Sequence, residues 1–268
     1  MGTDKQFNSD IGSDSGREPI GLPEFGRDGS RRRSHLAALE DGQIRARLLH
    51  GFLRHERHAI LSTASYRQFT RDSVIVNQGD PADRLFLLIK GSARFFFLTP
   101  DGKKVYLHWL ARGEIFGGAS LLTDPATFLV STEVSAGSQV LVWMRDVVHS
   151  LATIYPRLSE NALSIANDFL VWFLASHLSL ICNTARKRLA HVLVSLADGI
   201  GQQCPGGVRI DVTNEQLANT ANITVFTASR LLREFQRSGA IMKSRGNILV
   251  CNPQRLFPKN GNLQIATG

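Results

Sequence analysis

The sequence predicts an α+β chain: an N-terminal antiparallel β-roll of jelly-roll type, a long dimerisation helix, and a C-terminal winged helix-turn-helix. Three observations carry this reading. Between Val74 and Trp143, short runs rich in β-branched and aromatic residues are punctuated by turn formers at intervals of about 8–12 residues. From Pro156 the apolar period lengthens to three or four residues, as on a helix. Beyond Val208 a strand, two short helices and a candidate hairpin follow one another closely.

Taken in order, residues 1–43 are rich in Gly, Ser, Asp and Pro, lack periodicity, and read as a disordered tail. Arg31, Arg32 and Arg33 are nearly balanced there by acids, so they read as part of a solvated tail. Residues 44–155 read as the roll with flanking helical segments. A helical pattern runs from Ile44 to Ser65 through Leu48, Phe52, Ile60 and Leu61. His50, His55 and His58 lack the i, i+4 spacing of a metal-binding helix and read as surface residues. The strands are Val74–Val76, Leu85–Ile89, Ala93–Leu98, Val105–Leu110, Val130–Val134 and Val140–Trp143, separated by turns such as Pro100-Asp101-Gly102 and Ala136-Gly137-Ser138.

Residues 156–184 read as the dimerisation helix, with Leu158, Ile165, Phe169 and Trp172 along one apolar face. Leu163, Ala166, Leu170, Phe173 and His177 form a second face. One face can lie on the roll, and the other needs a partner, most simply a second copy across a two-fold axis. The stretch Phe169–Ile181 is short for a bilayer and contains a histidine, so no membrane passage is expected.

Residues 185–257 read as the winged unit, and 258–268 as a flexible tail. Ala185–Ile200 is a helix and Val208–Val212 a strand. Thr213 and Gln216 have capping-box spacing. Ala221-Asn222 suits a tight turn, since Asn tolerates the left-handed conformation. A second helix runs from about Thr224 to Ser238, with Ala228, Leu231, Leu232 and Phe235 inward. Ile241–Val250, turning at Ser244-Arg245-Gly246-Asn247, reads as the wing.

Of the net charge of +8, residues 184–268 contribute +7, from 11 Lys and Arg against 4 Asp and Glu. A positive field confined to one small unit suits a polyanion. A helix entering the major groove needs polar tips near its N-terminus and basic residues for flanking phosphates. Thr213, Thr224, Val225, Phe226, Thr227, Ser229, Arg230, Arg233, Arg237, Lys243 and Arg245 are the candidate DNA-binding residues, with Arg230 as the bidentate reader of guanine. Cys182, Cys204 and Cys251 are odd in number and far apart, the pattern of a reducing, cytoplasmic setting. No P-loop, GxGxxG, GxSxG or HExxH motif is present, so an enzyme is not expected.

The order roll, long helix, winged helix-turn-helix over about residues 44–257 resembles the Crp/Fnr family of bacterial regulators. QGDPADRLFLLIKGSARFFFLTPDGKKVYLHWLARGEIFGGASLL looks like the family's cyclic-nucleotide-binding-type roll. VTNEQLANTANITVFTASRLLREFQRSGAI carries its Ala218, Ser229, Arg230 and Leu231, and Arg188-Leu189-Ala190 match in the preceding helix. The resemblance implies a dimeric, allosteric regulator binding a palindromic duplex site, with RNA polymerase as a further partner.

Departures bear on mechanism. The family's cyclic-AMP binders carry a Gly-Glu for ribose and an Arg-Ser or Arg-Thr for phosphate. Here Gly117-Gly118-Ala119 and Val130-Ser131 stand in their place, while Phe173 and Leu174 replace the polar residues facing the purine. No cyclic-AMP binding is therefore expected. No cysteine precedes Cys182, so the family's N-terminal iron–sulfur cluster is not expected either. The remaining interior, lined by Phe116, Gly117, Gly118, Leu121, Phe128, Val130, Ser131, Trp172 and Phe173, reads as a packed core, a haem site or a small-ligand site. His108 and His177 are the candidate axial ligands, which would suit an NO or CO sensor. A cyclic-nucleotide-type regulatory subunit without a DNA target is a further alternative, disfavoured by the basic C-terminal unit. Many family members carry a Glu three residues before the Ser of the Ser-Arg pair, where it accepts from cytosine. Here Phe226 stands there, so the half-site is expected to differ from the usual TGA-type motif.

Overall fold

The computed structural model describes residues 29–257 except Thr123, Pro125 and Arg245. The expectations for residues 1–28 and 258–268, for Arg245, and for the side chains of Arg31, Arg32 and Arg33 lie outside the described residues.

Helices α1 (Gly29–Glu40) and α2 (Arg54–Ser62) precede the roll. Its strands are β1 (Ser65–Gln68), β2 (Ser73–Val76), β3 (Arg84–Lys90), β4 (Ala93–Leu98), β5 (Lys104–Leu110), β6 (Ile115–Phe116), β7 (Ser131–Val134) and β8 (Gln139–Met144). They form two antiparallel sheets in the orders β1-β8-β3-β6 and β2-β7-β4-β5. On β3, Phe86 and Leu88 face the second sheet, while Leu85, Leu87 and Ile89 face the helices. A strand buried on both faces reads as a continuous apolar run, which is why RLFLLIK does not alternate. Each fully buried Leu, Ile or Phe contributes about 1.5–3 kcal/mol over its exposed state. The Trp143 indole N–H donates to Ile60 O at 3.0 Å and to Thr63 Oγ1 at 3.1 Å, fastening α2 to β8.

Two expectations for the N-terminal segment need correction. The tail assigned to residues 1–43 is helical over α1: Leu39 is buried, and Leu36 and Ala38 pack on the same cluster. Arg57 donates to Glu40 O at 3.3 Å, and His58 Nδ1 lies 2.8 Å from Glu40 Oε1. So short a helix gains its stability from docking, which composition does not report. The helix expected from Ile44 to Ser65 is broken. A 3₁₀ turn, Arg47–Leu49, ends at Gly51, whose φ of 76° stops the helix before α2. The carbonyls released there are taken by the long helix. Asn161 Nδ2 donates to Leu48 O and His50 O, both at 2.9 Å, and Arg157 Nη1 to Gly51 O at 3.0 Å.

Helix α3 (Arg145–Ile154) leads into α4 (Arg157–Cys182). Leu158 and Ile165 are buried, and Phe169 and Trp172 half-buried, all against the roll. The four positions named along the first apolar face of the dimerisation helix thus lie inside the protomer. The outward side carries Leu163, Leu170, Phe173, Leu174, Leu178 and Ile181. Phe173, expected to line the interior, is 58% exposed. Helix α4 begins well before Phe169 and has the length and apolar composition of a bilayer span, but its face of Leu158, Ile165, Phe169 and Trp172 packs on the roll, as on a core helix.

Past α4 come α5 (Ala185–Ile200), β9 (Gln202–Cys204), β10 (Gly207–Asp211), α6 (Asn214–Thr220), α7 (Val225–Arg237), β11 (Ile241–Ser244) and β12 (Asn247–Val250). The strands form one sheet, β11-β12-β10-β9. Leu189, Leu193, Ile210, Leu217, Leu232 and Phe235 build a separate core for this unit. It meets the roll at β5, where Trp109 packs against that core and α5 and α6 lie along the strand.

Candidate nucleic-acid interface

Local sequence dictates the geometry of the two helices. The Thr213 N–H donates to Gln216 Oε1 at 2.8 Å, and the Gln216 N–H donates to Thr213 Oγ1 at 3.2 Å, closing the expected capping box. Asn222 adopts φ 48°, the only left-handed non-glycine among the described residues, and turns the chain into α7. Ala218 and Ala228 are fully buried in the helix pair, where their small side chains permit a close approach. Arg188 of α5 braces the turn: its guanidinium donates to Ala221 O at 3.0 Å, Asn222 O at 3.1 Å and Asn183 O at 2.9 Å. The family-matching arginine is therefore a clasp between the turn and the end of α4.

Helix α7 is capped by Thr224, whose Oγ1 accepts from the Thr227 N–H at 3.1 Å and lies 2.9 Å from Thr227 Oγ1. Its inner side buries Leu231, Leu232 and Phe235. Its outer side presents Val225, Phe226 (75% exposed), Arg230, Arg233 and Arg237, and Lys243 is exposed on β11. Ser229 departs from expectation. It is half-buried, and its Oγ accepts from Asn214 Nδ2 at 3.0 Å, so it ties α7 to α6 instead of standing outward. Thr213 lines a cleft between α6 and β5, together with Lys103, Lys104 and Tyr106. Sequence reasoning passed over Glu234, which pairs with Arg230 at 2.7 Å and with Arg186 at 2.9 Å. The i, i+4 spacing of Arg230 and Glu234 was a legible signal, whereas the approach of Arg186 depends on the packing of α5.

The candidate effector region is dominated by rings. Phe86 and Phe116 stack at 4.7 Å with planes 4° apart, and Phe128 is buried in the same core. Gly117 has φ 80°, and a Cβ there would lie 2.4 Å from Arg84 O and 3.4 Å from the Phe128 ring. Gly118 is exposed, Leu121 and Val130 are half-buried, and Ser131 Oγ accepts from the Gln78 N–H at 3.0 Å. The Ser120 hydroxyl is buried with no partner among the described residues. His108 on β5 lies against Trp172 (centroids 4.5 Å apart), Phe169 (5.2 Å) and Phe95 (6.3 Å). Burial pushes its pKa down to about 4. His177 is exposed on α4.

Two family models match the chain: "Cyclic nucleotide-binding domain" over residues 66–155 and "Crp-like helix-turn-helix domain" over residues 187–257. The CRP-like cAMP-activated global transcriptional regulator of Mycobacterium tuberculosis is 26% identical over 190 residues, covering 70% of this chain and 84% of that protein. The Cyclic AMP receptor protein of Thermus thermophilus is 27% identical over 214 residues, covering 76% and 91%. Among solved structures, FixK2 from Bradyrhizobium japonicum aligns with a TM-score of 0.63 at 20% identity, covering 72% of this chain and 95% of that one. These proteins and domains are regulators and not enzymes. A ring-filled roll joined by a long helix to a DNA-binding winged unit places the chain in the Crp/Fnr family of transcription regulators.

Proposed function

We propose that the chain is a cytoplasmic homodimer that reads a palindromic duplex site with paired α7 helices, and does so without a cyclic nucleotide. The exposed outer side of α7, with Phe226 and Arg230 clear of the protomer core, carries this reading. Arg230 pairs bidentately with a guanine, and Phe226 meets a thymine methyl where a Glu would accept from cytosine. Arg233, Arg237, Lys243 and Arg245 hold phosphates, the hydroxyls of Thr213, Thr224 and Thr227 line the approach, and Val225 adds apolar contact. The outward apolar side of α4 takes its own copy, setting the two α7 helices one duplex turn apart, roughly 34–36 Å. RNA polymerase is the further partner at the promoter.

Chemical grounds speak against a cyclic nucleotide. The residues at Gly117–Leu121 and Phe128–Ser131 do not fit an anionic phosphate. The neighbouring interior is occupied by the rings of Phe86, Phe116 and Phe128, and the Arg84 guanidinium beside the Phe86 ring is already paired with Asp83, so burial of a phosphate there is disfavoured. The same rings favour a packed core over haem, and the two candidate axial histidines differ in setting, one enclosed and one exposed.

Selection of duplexes from a random pool with the full chain tests the reading, with sedimentation equilibrium on the winning duplex. The expected result is a two-fold symmetric site bound by a dimer. Arg230→Ala should weaken binding by about 1–3 kcal/mol and relax preference at one base pair per half-site. A strictly monomeric chain that ignores duplex DNA in dilute buffer would sink it. Calorimetry with cyclic AMP and cyclic GMP should register no binding heat.

A further inference from the structure

We propose that Glu234 is a positioning residue for base reading: its carboxylate presets the Arg230 guanidinium and ties it to the first turn of α5. This rests on the proposed role of Arg230. Glu234 is half-buried and splits its two oxygens between two cations. Oε1 accepts from Arg230 Nη1 at 2.7 Å, and Oε2 from Arg186 Nη1 at 2.9 Å. The second cation is itself fixed, since the Arg186 guanidinium lies 4.6 Å from the centroid of the fully buried Phe235 ring. Arg186 stands two residues after Thr184, which caps α5 by accepting from the Lys187 N–H, and close to the end of α4 at Cys182. One carboxylate therefore links the segment joining α4 to the winged unit with the tip expected to meet a base.

The physical consequence is twofold. An unpaired arginine on an exposed helix samples many rotamers, and ordering it on DNA costs side-chain entropy. The bond through Nη1 removes part of that cost beforehand, while a guanidinium with five N–H donors retains enough to grip a guanine. The carboxylate also screens the positive charge of Arg186 and Arg230 from phosphates at large. Arg230 is thereby reserved for the base that can outbid Glu234, a device for specificity and not for affinity.

These effects have opposite signs in Glu234→Gln, which separates positioning from general structural support. We expect the variant to lose roughly threefold to tenfold in discrimination at the guanine pair, because part of the bidentate contact's selectivity is forfeited. It should bind unrelated duplex more tightly, with a salt dependence steeper by up to about one released counterion per subunit. A variant that merely disturbs packing would weaken both kinds of binding. The measurement is fluorescence anisotropy of the full chain on the selected duplex, its guanine-substituted versions and a scrambled duplex, for Glu234→Gln, Arg230→Ala and the double variant. In the Arg230→Ala background Glu234→Gln should have no further effect on discrimination. Retained guanine discrimination in Arg230→Ala would overturn the reading role itself, and the Glu234 inference with it. Loss in Arg230→Ala alongside unchanged discrimination in Glu234→Gln, or additive losses in the double variant, would overturn the Glu234 inference alone. Should Glu234→Gln unfold early, Glu234→Asp replaces it. A shortened carboxylate that keeps the charge should lose discrimination without the gain on scrambled duplex, and an unaltered specificity profile would count against the proposal.

Discussion

Burial strips water from the His108 imidazole among Phe95, Phe169 and Trp172, and desolvation lowers its pKa from 6.5 to about 4. In the unfolded chain the ring takes up a proton near pH 6.5, while in the folded chain it stays neutral down to about pH 4. Stability is therefore full above pH 6.5 and is lost as pH falls towards 4, by about 3 kcal/mol at most from this residue. Denaturant melts of the wild type and His108→Leu between pH 7 and 4 should diverge, the variant having the shallower acid limb. Parallel curves would show that His108 does not govern it. Legibility at this scale followed range. The Thr213–Gln216 capping box and the Asn222 turn were readable because each is completed within a few residues. The bond from Asn214 to Ser229 and the bracing of the turn by Arg188 were not, since both depend on how separate helices pack.

Helix α4 shows what periodicity settles and what it leaves open. Two apolar faces were evident in the sequence, but which one meets the roll depends on the roll's shape. Leu158, Ile165, Phe169 and Trp172 proved to be the inner set. The outer set, Leu163, Leu170, Leu174, Leu178 and Ile181, recurs at spacings of three, four and seven, as on a coiled-coil seam. Leu170→Glu should leave the protomer's own packing intact. It should also raise the dimer dissociation constant at least about thirtyfold, the equivalent of about 2 kcal/mol for burying an unpaired charge. Ile165→Ala should act in the opposite way, lowering stability by about 2–5 kcal/mol at every protein concentration. Sedimentation and thermal melts of the pair check this, and a Leu170→Glu chain that stays fully dimeric would refute the seam. Gly51 illustrates the other gap. The apolar positions across it are buried as their pattern implied, but the segment is not one helix, because a left-handed glycine whose carbonyl is held by Arg157 interrupts it. Gly51→Ala should cost about 1–2 kcal/mol in unfolding free energy through backbone strain.

At the scale of the molecule, the composition shifts marked out roll, long helix and winged unit, but nothing local indicated that roll and winged unit touch. They meet through Trp109, which packs against the core of Leu189, Leu193 and Phe235, with its indole N–H buried and lacking a partner among the described residues. The Arg94 guanidinium lies 5.4 Å from the Trp109 ring centroid and is held by Glu133 at 2.8 Å and Asp72 at 2.9 Å. A polar group left buried in this way is tolerated where surrounding packing outweighs its cost, here the apolar faces of α5 and α6 against β5. Trp109 is thus the wedge through which displacement of β5 would reach α6, and through it α7. Trp109→Ala removes the wedge but not either core. Half-buried, its ring should be worth about 2 kcal/mol, less than the full loss for a buried aromatic. The expected outcome is a calorimetric melt that separates into two transitions, one for the roll and one for the winged unit. Faster proteolytic cleavage between Cys182 and Ala185, where α4 gives way to α5, should accompany it. A single transition with unchanged cleavage would mean that Trp109 is not what couples the two units.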